Sequence, residues 1–182
     1  MKEESARLSR WAWALLILAI LAGFALRLYR LAGQELWGDE AMSTCMAQLP
    51  WREVITPRLD THPPLFYLLL HFWAPRVGWG LFALRFLPAA LGLPMVALAY
   101  ALGRRLVDER AGVVAAWLIA ASPLEVYYAQ ELRMYSLVAV LGMASMLFLV
   151  RLLEGERPHA GLWCGYWGAT LAAMYSHYQV FP

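Results

Sequence analysis

The sequence predicts an all-α fold, a polytopic transmembrane helix bundle with about five spans plus short juxtamembrane helices in the first outer loop. Three observations predict it. Apolar residues make up 62% of the 182-residue chain and charged residues 15%, against about 45–50% and about 25% in soluble domains. Several uncharged runs approach the roughly 20 residues that a helix needs to cross a bilayer. Nine Trp and nine Tyr suit a lipid–water boundary, where amphipathic rings gather. This apolar content excludes a disordered chain, and a net charge of +2 is too small to point to nucleic acid. Cys45 and Cys164 match no metal spacing and read as small apolar packing residues.

The first span is placed at about 11–31. Trp11 to Leu26 is uncharged, and Leu28 to Leu31 extends it. A signal peptide is the rival reading, discounted because Arg27 and Arg30 follow the apolar run without a clean small-residue cleavage site. Four more spans are placed at about 79–103, 111–128, 134–152 and 161–176. Pro64 to Ala74 is too short for a full span before Pro75, and His71 interrupts it. Its length fits a short interfacial or re-entrant helix.

Charge sets the parity. If that segment does not cross, the inner side holds Lys2, Arg7, Arg10, Arg104, Arg105, Arg110, Arg151 and Arg157, as short cytoplasmic loops should. The expected arrangement is one transmembrane domain, 1–182, in a cell (plasma) membrane. Its N-terminus is cytoplasmic, its outer loop is 32–78, and its chemistry lies on the outer, periplasmic face. No internal repeat or low-complexity segment is present.

The outer segments carry the candidate chemistry. Asp39 and Glu40 precede a helical pattern in which Ala41, Cys45 and Leu49 share one face. The plain reading makes Asp39 a helix N-cap; the functional reading makes it a general base at the membrane surface. His62, in Asp60-Thr61-His62-Pro63-Pro64, is either a solvated helix entrance or a donor to a lipid phosphate. Arg85 at the start of the second span either snorkels or pairs with phosphate through its two-pronged guanidinium. Tyr127, Glu131 and Tyr135, spaced by four, share a face if that stretch is helical, with Arg133 two residues past Glu131. An ion pair with interfacial tyrosines is the plain account there. Polar groups at membrane depth are functional suspects. His177, in Tyr175-Ser-His-Tyr, adds a lone outer imidazole.

Trp37-Gly-Asp39-Glu40, His62-Pro63-Pro64-Leu65 and Tyr128-Ala-Gln-Glu131-Leu-Arg133-Met-Tyr135 occur in this order. Together they resemble membrane glycosyltransferases of the protein O-mannosyltransferase and aminoarabinose-transferase type, the GT-C superfamily. The resemblance covers the chain from about residue 11. Such enzymes are several hundred residues long. The chain therefore reads as an N-terminal fragment stopping where a sixth helix begins at Val180-Phe181-Pro182, and is expected to be inactive alone.

The resemblance implies inverting transfer of a sugar from a polyprenyl phosphate to a hydroxyl or amine of a protein, lipid or glycan acceptor outside the membrane. Asp39 looks like the catalytic carboxylate and Glu40 its companion. His62, Arg85 and Arg133 are expected at the donor phosphate, the two arginines from different helices. Glu131, Tyr128, Tyr135 and His177 are expected to position substrate. No cofactor is assigned, with a divalent metal near Asp39 and Glu40 left open. The alternatives are a transporter or flippase fragment, which would place ionisable groups near the bilayer midplane, and a structural anchor.

Overall fold

Uncharged runs become helices because a backbone in hydrocarbon must satisfy its own hydrogen bonds. The computed structural model describes residues 9–56, 61–155 and 160–178, and the elements among them are all helices. Lys2, Arg7, Asp60, Arg157 and the helix start expected at Val180 lie outside the described residues.

α1 (Arg10–Leu28) buries only a narrow stripe through Ala12, Leu16, Ala19, Gly23 and Arg27. Three short helices then fold the first outer segment: α2 (Gly38–Gln48), α3 (Trp51–Val54) and α4 (Leu65–Val77). The longest, α4, has 13 residues and reaches about 20 Å at 1.5 Å per residue, too short to cross. It runs through Pro75 and ends at Gly78, whose φ of 99° only glycine adopts easily. The proline expected to end α4 sits in its last turn, where it removes a single helical bond.

α5 (Leu81–Gly92) and α6 (Pro94–Leu106) form one 26-residue apolar unit, jointed at Leu93. α7 (Glu109–Ala121) begins under an Asp108 cap that accepts the Ala111 N–H at 2.8 Å. The expected continuous span 111–128 is broken. Pro123 starts α8 (Pro123–Gln130), Ser122 turns extended and caps it, and the two helices meet at 50°. A residue before proline is driven out of helical geometry. α9 (Tyr135–Leu153) and α10 (Ala160–Met174) complete the bundle.

Among the described residues, α1, α5–α6 and α9 are long and apolar enough to cross a membrane, and α7–α8 is a fourth if the bent pair counts as one span. α10 has 15 described residues, about 22 Å, so the expected fifth span is an apolar helix short of the usual length. The exposed apolar residues Leu18, Leu21, Leu118, Trp163 and Trp167 suit a multi-pass membrane protein. Cys45 and Cys164 are free and exposed, not packed as expected.

Side chains fix the helix directions. Ser9 donates N–H and Oγ–H to Glu109 at 3.0 and 2.7 Å, joining the starts of α1 and α7. Arg27 Nη1 reaches the Ala120 carbonyl at 3.5 Å, joining their ends, so the two helices run parallel. Arg105 pairs with Glu154 near the ends of α6 and α9. One end of the bundle therefore carries Ser9, Arg105, Glu109 and Glu154; the candidate site residues gather at the other.

α6 and α7 touch through glycine. A Cβ on Gly112 would lie 2.7 Å from the Tyr100 carbonyl oxygen and 3.0 Å from Arg104 N. Small residues let membrane helices approach this closely. Gly112→Val is expected to destabilise by about 1–3 kcal/mol through overpacking. Gly142→Val, where a Cβ meets nothing within 4 Å, is expected to do much less. Thermal unfolding in detergent micelles compares the two, and equal effects would refute the close contact.

Candidate functional site

The site is organised by one buried ion pair. Glu40, in the first turn of α2, is fully buried. Its carboxylate accepts Nε and Nη2 of Arg85 at 2.9 and 2.6 Å and the Leu132 N–H at 2.8 Å. Arg85, on α5, also donates to the carbonyls of Leu31, Gln34 and Glu35 at 3.1, 2.9 and 3.2 Å. A guanidinium has five N–H donors, and all of them meet protein acceptors here. Arg85 thus ties the end of the first span and α2 to α5, and Glu40 extends the tie to the α8–α9 connection. Glu40 is likewise a structural partner of Arg85.

This pair sets the buried face of α2. The face runs Glu40, Ser43, Met46 and Ala47, not the expected Ala41, Cys45 and Leu49, because it must include the carboxylate that meets Arg85. Asp39 lies beside it, exposed. The N-cap of α2 is Trp37, with no side-chain cap bond, so Asp39 is in the first helical turn and the cap reading does not hold. A carboxylate there is favoured by the helix dipole.

Arg133 follows Leu132 on the opposite side. Glu131 is extended and ends α8, so Glu131, Tyr127 and Tyr135 do not share one helix as expected. The extended backbone turns Glu131 and Arg133 apart. The buried Arg133 guanidinium reaches the Asp39 carbonyl at 3.3 Å, Ser43 Oγ at 3.4 Å and Tyr67 Oη at 3.4 Å. Burial opposes its charge, but Tyr67, Asp39 and Tyr135 outweigh this and hold its pKa above the ordinary arginine value.

The two histidines meet in the same region. The Leu65 N–H donates to the Tyr175 carbonyl at 3.1 Å, docking the segment after α10 onto the start of α4. The His62 and His177 rings lie 5.1 Å apart, centroid to centroid. Tyr135 is 6.2 Å from His177, and Tyr128 is 4.8 Å from Tyr135. Burial, then His62 and then the Arg133 charge hold the His177 pKa below the usual histidine value, so the imidazole is neutral at pH 7. Asp39, Arg133, His62, His177, Tyr128 and Tyr135 form one continuous neighbourhood.

Across the Glu40–Arg85 pair is a cavity of about 540 Å³, lined by Trp37, Glu35, Glu40, Arg30, Tyr127 and Glu131 among others. Gln130 closes one edge, donating to the carbonyls of Leu26, Arg27 and Tyr29 at 3.3, 3.1 and 2.9 Å.

Sequence reasoning missed three members of this end. Tyr67 and Ser43 contact Arg133, and Gln130 ties α8 to α1. Tyr67 follows the His62-Pro63-Pro64-Leu65 motif by two residues, but only the fold turns it toward Arg133. Among the described residues, no group of three or more His, Cys, Asp and Glu could hold a metal ion.

A family model described as dolichyl-phosphate-mannose-protein mannosyltransferase matches residues 61–181. No curated protein and no solved structure matches the chain.

Proposed function

The chain belongs to the dolichyl-phosphate-mannose-protein mannosyltransferase family, and from that membership we propose that it transfers a sugar from a polyprenyl phosphate to an acceptor on the outer face, with inversion. The coarser statement, a membrane glycosyltransferase of the mannosyltransferase type, follows from the family itself. One observation supports the finer reading. Asp39, the Arg133 guanidinium and two imidazoles adjoin each other at one end of an apolar bundle, with the Asp39 main-chain oxygen on Arg133. The opposite end carries Arg10, Arg104, Arg105, Arg110 and Arg151, and in this reading is cytoplasmic.

The chemistry follows from the groups. The acceptor O–H is a weak nucleophile; Asp39 takes its proton as the oxygen attacks the anomeric carbon. The bond from that carbon to the phosphate oxygen breaks on the opposite face, which inverts the centre. The departing prenyl phosphate gains negative charge, which Arg133 stabilises with His62 and His177 beside it. Arg85 and Glu40 hold these parts in place.

A short-chain prenyl-phosphoryl-mannose tests the donor side, since a phosphodiester carries one charge throughout. Arg133→Lys keeps a charge but loses the fork, and is expected to weaken binding roughly 10-fold or more, as for a charged hydrogen bond. Binding also takes up protons. The free His177 pKa is lowered by burial, His62 and Arg133, and a bound anion raises it, so the complex holds more protons. Affinity is therefore expected to rise as pH falls from 8 toward the lowered His177 value. The depressed pKa also makes folded-state stability fall below about pH 6.5, where the unfolded histidine protonates first. Calorimetry between pH 8 and 6.5 checks the direction; unchanged affinity in Arg133→Lys would remove the donor site.

A further inference from the structure

The two sides of the Glu40–Arg85 pair differ in charge. On one side Arg133 offsets Asp39, with His62 and the neutral His177 beside them. On the cavity side, Glu40 and Arg85 neutralise each other, leaving Glu35 and Glu131 against Arg30. That side carries an acidic excess and repels a phosphate.

It is also built differently. Glu131 is 7% exposed, and its carboxylate faces the Tyr127 hydroxyl. The rings of Trp37 and Tyr127, which line the cavity, are 49% and 55% exposed. Buried carboxylates accept hydroxyl protons in charge-assisted hydrogen bonds, and flat aromatic faces cover apolar C–H surface. Carboxylates interleaved with open aromatic rings in a concave site suit a neutral polyol that is polar at its edges and apolar on its faces.

The cavity also borders the first turn of α2. Trp37 and Glu40 line it, and Asp39 lies between them in sequence at the start of α2. A sugar held there lies beside the helical turn that carries Asp39.

We propose that this cavity, between the end of α1, the start of α2 and α8, is the acceptor site, and that the acceptor is an uncharged glycan held by Glu131, Glu35, Trp37 and Tyr127. This rests on the glycosyltransferase reading and deepens it by naming the acceptor class. Glu131 and Trp37 bind the acceptor directly.

The test uses the full chain in nanodiscs, with mannobiose, cellobiose and chitobiose as neutral probes, mannose 6-phosphate as the charged one, and a serine-containing peptide as the alternative acceptor. Saturation-transfer NMR is expected to show at least one disaccharide binding more tightly than mannose 6-phosphate. Glu131→Gln and Trp37→Ala are each expected to weaken it about 10-fold or more, the lower bound for a charged hydrogen bond. In turnover, acceptor KM is expected to rise more than kcat falls. Trp37 is half-exposed, so its truncation leaves a foldable protein if Glu131→Gln does not. Binding of the peptide but no disaccharide, preference for mannose 6-phosphate, or equal disaccharide binding in both variants would overturn the assignment. Donor binding separates the two ideas. If prenyl-phosphoryl-mannose binding depends on Arg133 while no disaccharide binds, this inference alone fails; if donor binding ignores Arg133, the underlying reading fails.

Discussion

Arg85→Ala is expected to cost about 3–5 kcal/mol of stability, because it leaves the Glu40 carboxylate buried without its counter-charge. Glu40 is fully buried, and its remaining partner is the Leu132 N–H. The carbonyls of Leu31, Gln34 and Glu35 lose their shared donor in the same step. Arg85→Lys is expected to recover part of the loss. An ammonium has three donors and no planar fork, so it cannot serve five acceptor contacts across two chain segments. Glu40→Met/Arg85→Met is expected to be milder than Arg85→Ala, since replacing both partners of a buried pair removes the stranded charge. Unfolding in detergent, with purified yield alongside, measures all three. A loss below about 1 kcal/mol in Arg85→Ala would show that the pair does not hold this end together. An Arg85→Ala protein of normal stability that no longer binds prenyl-phosphoryl-mannose would return Arg85 to the phosphate.

The bundle was legible because lipid imposes a simple rule: an uncharged run must become a helix. Trp11 to Leu26, Phe86 to Gly103 and Met134 to Val150 needed nothing more. Where hydropathy alone misleads, proline or length decides. Pro123 broke a run whose hydropathy looked continuous, and the break at Ser122 points α8 at the cavity. Pro75 had the opposite fate, tolerated within the last turn of α4.

The site was legible as a set of residues but not as a set of partners. Asp39, Glu40, His62, Arg85, Arg133, Tyr128, Tyr135 and His177 all stand at one end of the bundle. What spacing cannot reveal is which charges neutralise each other. Arg85 and Arg133 look alike in sequence, each near the end of an apolar run. Burial beside Glu40 across 45 residues gives one a structural role. The extended turn at Glu131 carries the other to Asp39. Hydropathy reads single residues, whereas the division of roles depends on long-range pairs.

Asp39→Asn is expected to lower turnover by roughly 10²–10⁴-fold, the usual worth of a positioned general base. Its folding should be nearly normal. The cap of α2 is Trp37 with no side-chain bond, so the asparagine gives up no cap, only a negative charge in the first turn, about 0.3–1 kcal/mol. The Asp39 main-chain oxygen still meets Arg133 and Ser43. The substitution keeps the side-chain shape and removes only the proton acceptor, which separates chemistry from architecture more cleanly than Asp39→Ala would. Glu40→Gln is the informative companion. It weakens the Arg85 pair, so its loss of turnover should come with a loss of stability. Asp39→Asn should lose turnover while unfolding at nearly the wild-type temperature and still binding prenyl-phosphoryl-mannose. Turnover in membranes holding the full chain, with unfolding and donor binding on the same preparation, decides it. Wild-type turnover in Asp39→Asn would eliminate the base, and a matching fall in stability would make Asp39 a second structural acid beside Glu40.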